Sequence, residues 1–385
     1  MTASSGKNPF NRTDTSDELD APDGSNHGLN TSATQTCRIE KMAHEAVEIA
    51  LAGDIHLAHA RALEALNLAR DSKNRTAELA AINAAACCHN LRYDQLGGLT
   101  VGMDALAMAE NIGDKRAYAY ALCSITASTF SLRLLNETLP ISEHAIAEAI
   151  AHGDVSLEAH TRRIHGENLG DLGRLDEARC QLDQAMAAAQ QTTSNGLINW
   201  VASQHATLSG KVAQHFAAIG QRIEMERACE DALQRAEHAT KIAHQQNNVY
   251  RIVSMGVIRA KIHEYRGESA AERDETNIVL KLAHKHRYQS PIPPMSLRLA
   301  RLQIAEGKFG RARLTLEKGL LAAEALRPTF RIGEICDAIT RVAEQHQDHV
   351  RANHWRVRAS AEKKLFERER ERVKTLLLTR IKFNS

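Results

Sequence analysis

Apolar and small residues recur at intervals of three and four positions from Cys37 almost to the end of the chain. The clearest example spans residues 158–189, EAHTRRIHGENLGDLGRLDEARCQLDQAMAAA. Its apolar and small positions are Gly166, Leu169, Leu172, Leu175, Ala178, Leu182 and Ala185. This spacing places them on one face of a helix, and small residues let two helices approach closely. We therefore predict a helical hairpin with its turn at Gly173.

The same hairpin pattern recurs about eight times along the chain. Turn signals fall near residues 53, 97, 135, 173, 220, 267, 307 and 348. A period of about 40 residues is typical of a helical solenoid, in which each hairpin buries its apolar face against its neighbours. Glycine at such turns supplies the conformation that ends a helix, and an aspartate such as Asp114 or Asp154 can cap the next one. The predicted fold is all-α, a right-handed α-solenoid.

Three hairpins resemble the tetratricopeptide repeat (TPR). The matching positions are Gly166, Leu169, Gly173, Ala178, Leu182 and Ala185 in the fourth hairpin, Ala46, Ile49, Gly53, Ala58, Ala62 and Ala65 in the first, and Ala300, Gly307, Ala312 and Leu316 in the seventh. The period exceeds the standard 34 residues and is similar to the long-repeat type of bacterial regulators. The resemblance implies a superhelix whose first helices line a concave groove for peptides or protein segments.

A second resemblance concerns the C-terminal segment HWRVRASAEKKLFERERERVKTLLL, residues 354–378. Together with the recurring GD junctions, it resembles the TPR sensory region that precedes the catalytic domain of bacterial diguanylate cyclases. The sequence contains no GGDEF motif. This resemblance therefore implies a sensory module without cyclase activity.

Composition divides the chain into three parts. Residues 1–35 are polar with few large apolar side chains, which predicts a disordered tail because too little surface can be buried to offset ordering. Residues 36–349 form the predicted repeat array. Residues 350–385 form a predicted long helix, with eleven Lys and Arg against four Glu.

The predicted C-terminal helix carries a short apolar seam of Phe366, Val373, Leu376 and Leu377. Heptad-like spacing suits a coiled coil that would join two chains into a homodimer, or a helix that caps the last repeat. A basic surface for nucleic acid or anionic lipid is a third interpretation. Nucleic acid is disfavoured because the segment carries few aromatic stacking groups.

The TPR resemblance implies that the first helix of each hairpin faces the groove. The residues expected there are His160, Arg163, Glu167, Asn199, Gln204, Arg251, Ser254, Arg298 and Arg301. The predicted partner is a protein or peptide, and an acidic one would suit these arginines because arginine binds carboxylates through paired hydrogen bonds. The alternative is that these charges form the solvated face of each helix.

Composition and motifs restrict the other functions. The formal net charge is +2, and no apolar run approaches the ~20 residues that span a bilayer. Seven cysteines, an odd number, favour free thiols in a reducing compartment, so we expect a cytoplasmic protein. No pair of histidines has the spacing of a zinc-binding helix, and no phosphate loop or nucleophile elbow occurs. We therefore expect no metal, no cofactor and no enzymatic activity.

These observations leave three functional hypotheses. The first is a non-enzymatic regulatory scaffold that binds a peptide or protein segment in the groove. The second is the sensory part of a signalling system whose catalytic domain is encoded separately or lost. The third is a secreted bacterial effector whose N-terminal tail directs export.

Overall fold

The computed structural model describes residues 26–381, with side chains from residue 34 onward. Within that range the chain forms sixteen α-helices and no β-strand, which confirms the all-α prediction. The helices are α1 Asn26–Leu51, α2 Ile55–Ser72, α3 Arg75–Leu91, α4 Gln95–Ile112, α5 Lys115–Ser131, α6 Leu135–Ala151, α7 Val155–Asp171, α8 Leu175–Ala189, α9 Asn195–Ala218, α10 Arg222–Gln245, α11 Val249–Arg266, α12 Ser269–Lys285, α13 Ile292–Ala305, α14 Phe309–Glu324, α15 Arg331–Gln345 and α16 His349–Arg380.

Consecutive helices pack in pairs and form eight hairpins, as the turn signals predict. In the fourth hairpin, α7 and α8 pack closely at Gly166. A Cβ atom there would lie 3.0 Å from Leu182 Cγ and 3.1 Å from the Ala178 carbonyl oxygen. The small residue that defined the sequence pattern is therefore required by the close contact of these two helices.

Most turns lie where glycine predicts them, but the second hairpin differs. Gly173 has a φ of +78°, the left-handed conformation expected of it. The second hairpin turns at Tyr93 (φ 61°) instead of Gly97. Asp94 Oδ1 accepts a hydrogen bond of 3.0 Å from the Gly97 amide, so the cap starts α4 earlier and places Gly97 inside it.

Helix α1 begins within the segment for which the sequence predicts a disordered tail. It starts at Asn26 rather than after residue 35, and residues 1–25 lie outside the described range. Ile39, Met42 and Ala46 of α1 are buried. A helix fixed by such packing extends at low cost, because each added residue gains one backbone hydrogen bond.

The first hairpin contacts the middle of the array as well as its sequence neighbour. The Asn248 side-chain amide donates to the Leu51 carbonyl at 3.0 Å, and the Tyr288 hydroxyl donates to the Gly53 carbonyl at 3.2 Å. A solenoid in which repeats touch only their neighbours would lack these contacts. The superhelix is therefore tightly coiled, and its inner surface is partly enclosed.

Helix α16 packs on α15, and its apolar seam is buried against the rest of the chain. Phe366, Val373 and Leu377 are buried, and Leu376 is half-buried. All four pack in the core that the array forms. The seam is thus buried within one chain, against the main core of the array rather than on the last hairpin as the capping interpretation expects, and self-association through it would require α16 to leave these contacts.

Polar contacts also join α16 to the third hairpin. Arg370 Nη2 donates to the Arg133 carbonyl at 3.0 Å, and Lys374 Nζ lies 2.9 Å from Glu137 Oε1. Several basic residues of this helix therefore have partners inside the protein. Its basic composition alone does not indicate a free cationic surface.

Candidate binding site in the helical groove

A cavity of about 450 Å³ lies on the inner side of the superhelix. Its walls come from the first helices of five hairpins, α3, α5, α7, α9 and α11, and from the segments around the starts of α13 and α15. This is the surface to which the repeat resemblance assigned ligand binding. We therefore take the cavity as the candidate binding site.

Six of the nine predicted groove residues line this cavity. They are His160, Arg163, Glu167, Gln204, Arg251 and Ser254. They come from α7, α9 and α11, so the stacking of three hairpins brings together side chains that are distant in sequence.

The indole ring of Trp200 is at the centre of this cluster. The guanidinium carbon of Arg163 lies 3.9 Å from the ring centroid, and that of Arg251 lies 4.2 Å away. The His160 ring meets the indole edge-on at 5.0 Å between centroids. Cations favour the face of an indole, so Trp200 holds both arginines beside the cavity.

The two arginines are poorly neutralised. Each is only 4% exposed, and the Nε atom of each is buried without a hydrogen-bond partner. Arg163 Nη1 has one distant carboxylate, Glu167 Oε2 at 3.5 Å. Among the described residues, Arg251 has no ion pair and no side-chain hydrogen bond. A buried charge without a partner is costly, so this arrangement requires an explanation.

The electrostatic environment keeps the site cationic near neutral pH. Burial lowers the pKa of Arg251 to about 9, with the neighbouring Arg163 acting in the same direction, so its guanidinium stays charged at pH 7. Burial and these two guanidinium groups hold the pKa of His160 well below its usual range, which makes the imidazole neutral. Burial raises the pKa of Glu167, opposed by Lys211 and Arg163.

The segments entering α13 and α15 supply an apolar wall of the cavity. It contains Pro291, Pro293, Pro294, Pro328 and Phe330. The site therefore combines a cationic wall with an apolar one, which suits a ligand that has an anionic group next to apolar groups.

Asn199 was predicted in the groove, but it does not line the cavity. It is fully buried, and its amide nitrogen donates to Gln246 Oε1 at 3.1 Å. Adjacent residues on a helix point about 100° apart. Trp200 faces the cavity, and Asn199 instead faces the end of α10, the second helix of its own hairpin.

Arg298 and Arg301 are also outside the cavity. Both bind two carboxylates of the preceding hairpin, Glu264 and Glu272. The sequence prediction placed both arginines in the groove. In the structure, the segment entering α13 presents prolines to the cavity, so these arginines face α11 and α12 instead.

Sequence reasoning missed the aromatic and proline residues of the site. Trp200 and Tyr250 lie in first helices, and aromatic residues are only 4% of the chain. Four of the seven prolines, Pro291, Pro293, Pro294 and Pro328, line the cavity. Rare aromatics in first helices and prolines clustered between hairpins were the available signals.

The described residues contain neither a membrane-spanning helix nor a cluster of metal ligands. In that part of the chain no helix is long and apolar enough to cross a membrane. Over the same range, no group of three or more His, Cys, Asp or Glu side chains is arranged to hold a metal ion.

Comparison with solved structures identifies the fold. A Rap protein complexed with competence and sporulation factor superposes with a TM-score of 0.60 at 13% identity, over 90% of this chain and 100% of that one. The Rap conjugation gene regulator of plasmid pLS20, in complex with the Phr* peptide, gives 0.55 at 12% identity, over 86% and 96%.

A third similar structure connects the fold to the repeat predicted from sequence. It is a signal transduction ATPase from Pyrococcus horikoshii with a tetratricopeptide repeat sensor, with a TM-score of 0.51, 12% identity and coverage of 77% of this chain and 45% of that one. No family model matches the sequence, and no curated protein matches it significantly. By its fold, this chain is a tetratricopeptide-like helical repeat protein.

Proposed function

We propose that this chain is a regulatory binding protein that holds a peptide or protein segment in the cavity of its superhelix. The observation that carries the proposal is the inner cavity of about 450 Å³, where buried Arg163 and Arg251 lack adequate partners. A site with unmet hydrogen-bonding capacity next to an apolar wall is suited to a ligand that supplies both kinds of contact.

The similar structures support this proposal. One was solved with competence and sporulation factor, and the other with the Phr* peptide. They share the fold with this chain at low identity, so the identity of their ligands does not transfer. What supports the proposal is that a protein of this fold was solved in complex with a peptide.

The proposed activity is binding without catalysis. Among the described residues at the cavity, neither His160 nor Glu167 is hydrogen-bonded to a serine, threonine or cysteine. Regulation would follow from differential binding, because a ligand that prefers one state of the superhelix shifts the population towards it.

A cytoplasmic location and a bacterial signalling context belong to the same proposal. All seven cysteines are unpaired, which suits a reducing compartment. The sensory-module and effector hypotheses rest on sequence alone and stay predictions.

Selection from a displayed library of random short peptides tests the proposal. The full chain is the bait, and Ser254→Trp, which fills the cavity from a half-buried position on α11, is the comparison. We expect selected peptides to bind the native chain and to lose affinity for Ser254→Trp. The control is Lys241→Trp, an exposed site on α10 outside the cavity, with circular dichroism to verify folding.

Peptides that bind Ser254→Trp and Lys241→Trp as well as the native chain would place the interaction outside the cavity. A selection that enriches no peptide, with the chain shown to be folded, would contradict peptide binding altogether.

A further inference from the structure

We propose that Arg163 and Arg251 together bind one carboxylate of the ligand beside the Trp200 ring. This inference rests on the proposed function and specifies its chemistry. The carboxylate belongs either to the C-terminus of a peptide or to an aspartate or glutamate side chain, and an apolar group next to it contacts the proline-lined wall.

The charge balance at the cavity leaves room for one anion. Two other arginines that line the cavity have carboxylate partners: Arg133 pairs with Asp171, and Arg331 pairs with Glu334 at 2.7 Å. Arg251, in contrast, forms no ion pair with any described residue. The cationic excess is therefore concentrated at one position of the wall.

The single carboxylate at the cluster does not remove this excess. Glu167 lies 3.5 Å from Arg163 Nη1, longer than the ~2.7–2.9 Å of a strong charge-assisted hydrogen bond. Burial raises the pKa of Glu167, so its charged form is disfavoured where it stands. It serves the cluster poorly, and the buried Nε atoms of Arg163 and Arg251 remain unpartnered.

The two guanidinium groups are close enough to share one ligand group. Their central carbons lie 3.9 and 4.2 Å from the same Trp200 centroid. They are therefore at most about 8 Å apart. A carboxylate at the edge of the indole, accepting from a terminal N–H of each guanidinium, would join the two groups. The neutral imidazole of His160 adds a polar group to the site without adding charge.

The indole fixes this geometry before the ligand arrives. Trp200 is 7% exposed and cannot rotate freely, and cation–π contact keeps both arginines in place. A preorganised pair of donors binds an anion without the entropic cost of ordering long side chains. This explains why two like charges are maintained side by side in a buried site.

Fluorescence of Trp200 provides the test. The full chain carrying Trp355→Phe retains Trp200 as its one tryptophan, since the sequence has two. The probes are N-acetyl-leucyl-leucine with a free carboxylate, the same dipeptide as its amide, and N-acetyl-aspartyl-leucine amide. We expect the acid probes to change the emission saturably at millimolar concentrations and the uncharged amide to leave it unchanged.

The three probes separate the two sources of the carboxylate. Binding of the free acid alone assigns the site to a peptide C-terminus, and binding of the aspartyl amide alone assigns it to an acidic side chain. Equal binding of the uncharged amide, or no binding by either acid probe, would overturn the inference.

Substitution of one arginine tests the assigned residues. We expect Arg251→Met to lower the affinity for the acid probe on the order of 100-fold, because the substitution removes one partner of a buried charge pair. Arg251→Lys keeps the positive charge and should lower the affinity less. The matched control is Arg301→Met, a half-exposed arginine outside the cavity, which should bind the probe like the native chain. Unchanged probe binding by Arg251→Met would exclude this residue from the site.

The melting temperature distinguishes a binding residue from a structural one. We expect the melting temperature of the free Arg251→Met chain to equal or exceed that of the native chain, because an apolar side chain replaces an uncompensated charge. A marked fall together with lost probe binding would show a structural role and contradict the proposal.

The outcome also separates this inference from the proposed function. If selected peptides bind in the cavity with equal affinity to Arg251→Met, the peptide-binding function stands and the carboxylate site does not. If small acids bind through Arg251 but no peptide is ever selected, the anion site stands and peptide binding fails.

Discussion

Two arginine clusters on first helices of this superhelix differ in charge balance: nearby carboxylates neutralise one and leave the other with an excess of positive charge. At α13, Arg298 and Arg301 share Glu264 and Glu272, and Glu272 is 1% exposed. At α7 and α11, Arg163 and Arg251 stack on Trp200, and only Arg163 has a carboxylate nearby, Glu167 at 3.5 Å. Both clusters looked alike in the sequence.

The difference lies in what the neighbouring hairpin offers. Where α11 and α12 present two glutamates, the arginines complete a network that ties three helices together. Where the neighbouring surface is a cavity, Arg251 has no carboxylate partner among the described residues and Arg163 has one at 3.5 Å. The Nε atoms of Arg163, Arg251 and Arg298 are all buried without a hydrogen bond, so the two clusters differ in their carboxylate partners. A buried charge without such a partner is the feature from which we propose a ligand site.

The largest effect is expected from disrupting the matched cluster, that is, Arg298 and Arg301 with Glu264 and Glu272. Glu272→Ala should lower the free energy of unfolding by about 3 kcal/mol, because it leaves the buried Arg298 short of a partner. Urea unfolding followed by circular dichroism measures this change. A loss below about 0.5 kcal/mol, the value of a surface ion pair, would show that Glu264 alone neutralises both arginines.

Removing a charge from the unmatched cluster, Arg163 and Arg251 beside Trp200, should change the free energy of unfolding in the opposite direction. Arg251→Met should raise the free energy of unfolding by about 1.5 kcal/mol, since a buried charge without a partner is removed. The same urea experiment applies, with Glu272→Ala as the reference. A decrease of similar size would mean that contact with Trp200 outweighs the cost of burying the charge.

The unmatched cluster should also make stability sensitive to acid. His160 has a folded-state pKa below its unfolded value, so it contributes stability above pH 6.5 that is lost as the pH falls. Between pH 6.5 and 5.5 the native chain should lose about 1 kcal/mol relative to His160→Gln. Urea unfolding at several pH values tests this, and parallel curves for the two chains would contradict it.

The smallest effect is expected from the exposed member of the matched cluster. Arg301 is 51% exposed, so Arg301→Met should lower the free energy of unfolding by only about 0.5 kcal/mol. Thermal unfolding is precise enough to detect this. A loss as large as that of Glu272→Ala would show that the network acts as one unit and that exposure does not divide its contributions.

The repeat fold could be predicted because its signals are local. Gly166, Ala178 and Leu182 mark the contact between the two helices of one hairpin, and Gly173 marks its turn. The turn of the second hairpin was predicted four residues too late, because the helix cap formed by Asp94 competed with the glycine signal at Gly97. Such shifts do not alter the number or order of the helices.

The candidate site was predicted only in part, for a geometric reason. The stripe of His160, Arg163 and Glu167 follows from helical spacing within α7. Extending it to α9 and α13 required the rotation of each later helix about its axis, which the sequence does not contain. Asn199 and Arg298 were therefore assigned to the wrong face.

By itself, the sequence determined the helices, their pairing into hairpins and the surface on which first helices meet, because these depend on residues within about 40 positions of one another. Only the tertiary structure decided which side chains share the cavity. It placed Trp200 against two arginines, closed the first hairpin onto Asn248 and turned the seam of α16 inward. Small rotations between successive hairpins add up along a superhelix, and the charge balance of its inner surface depends on that sum.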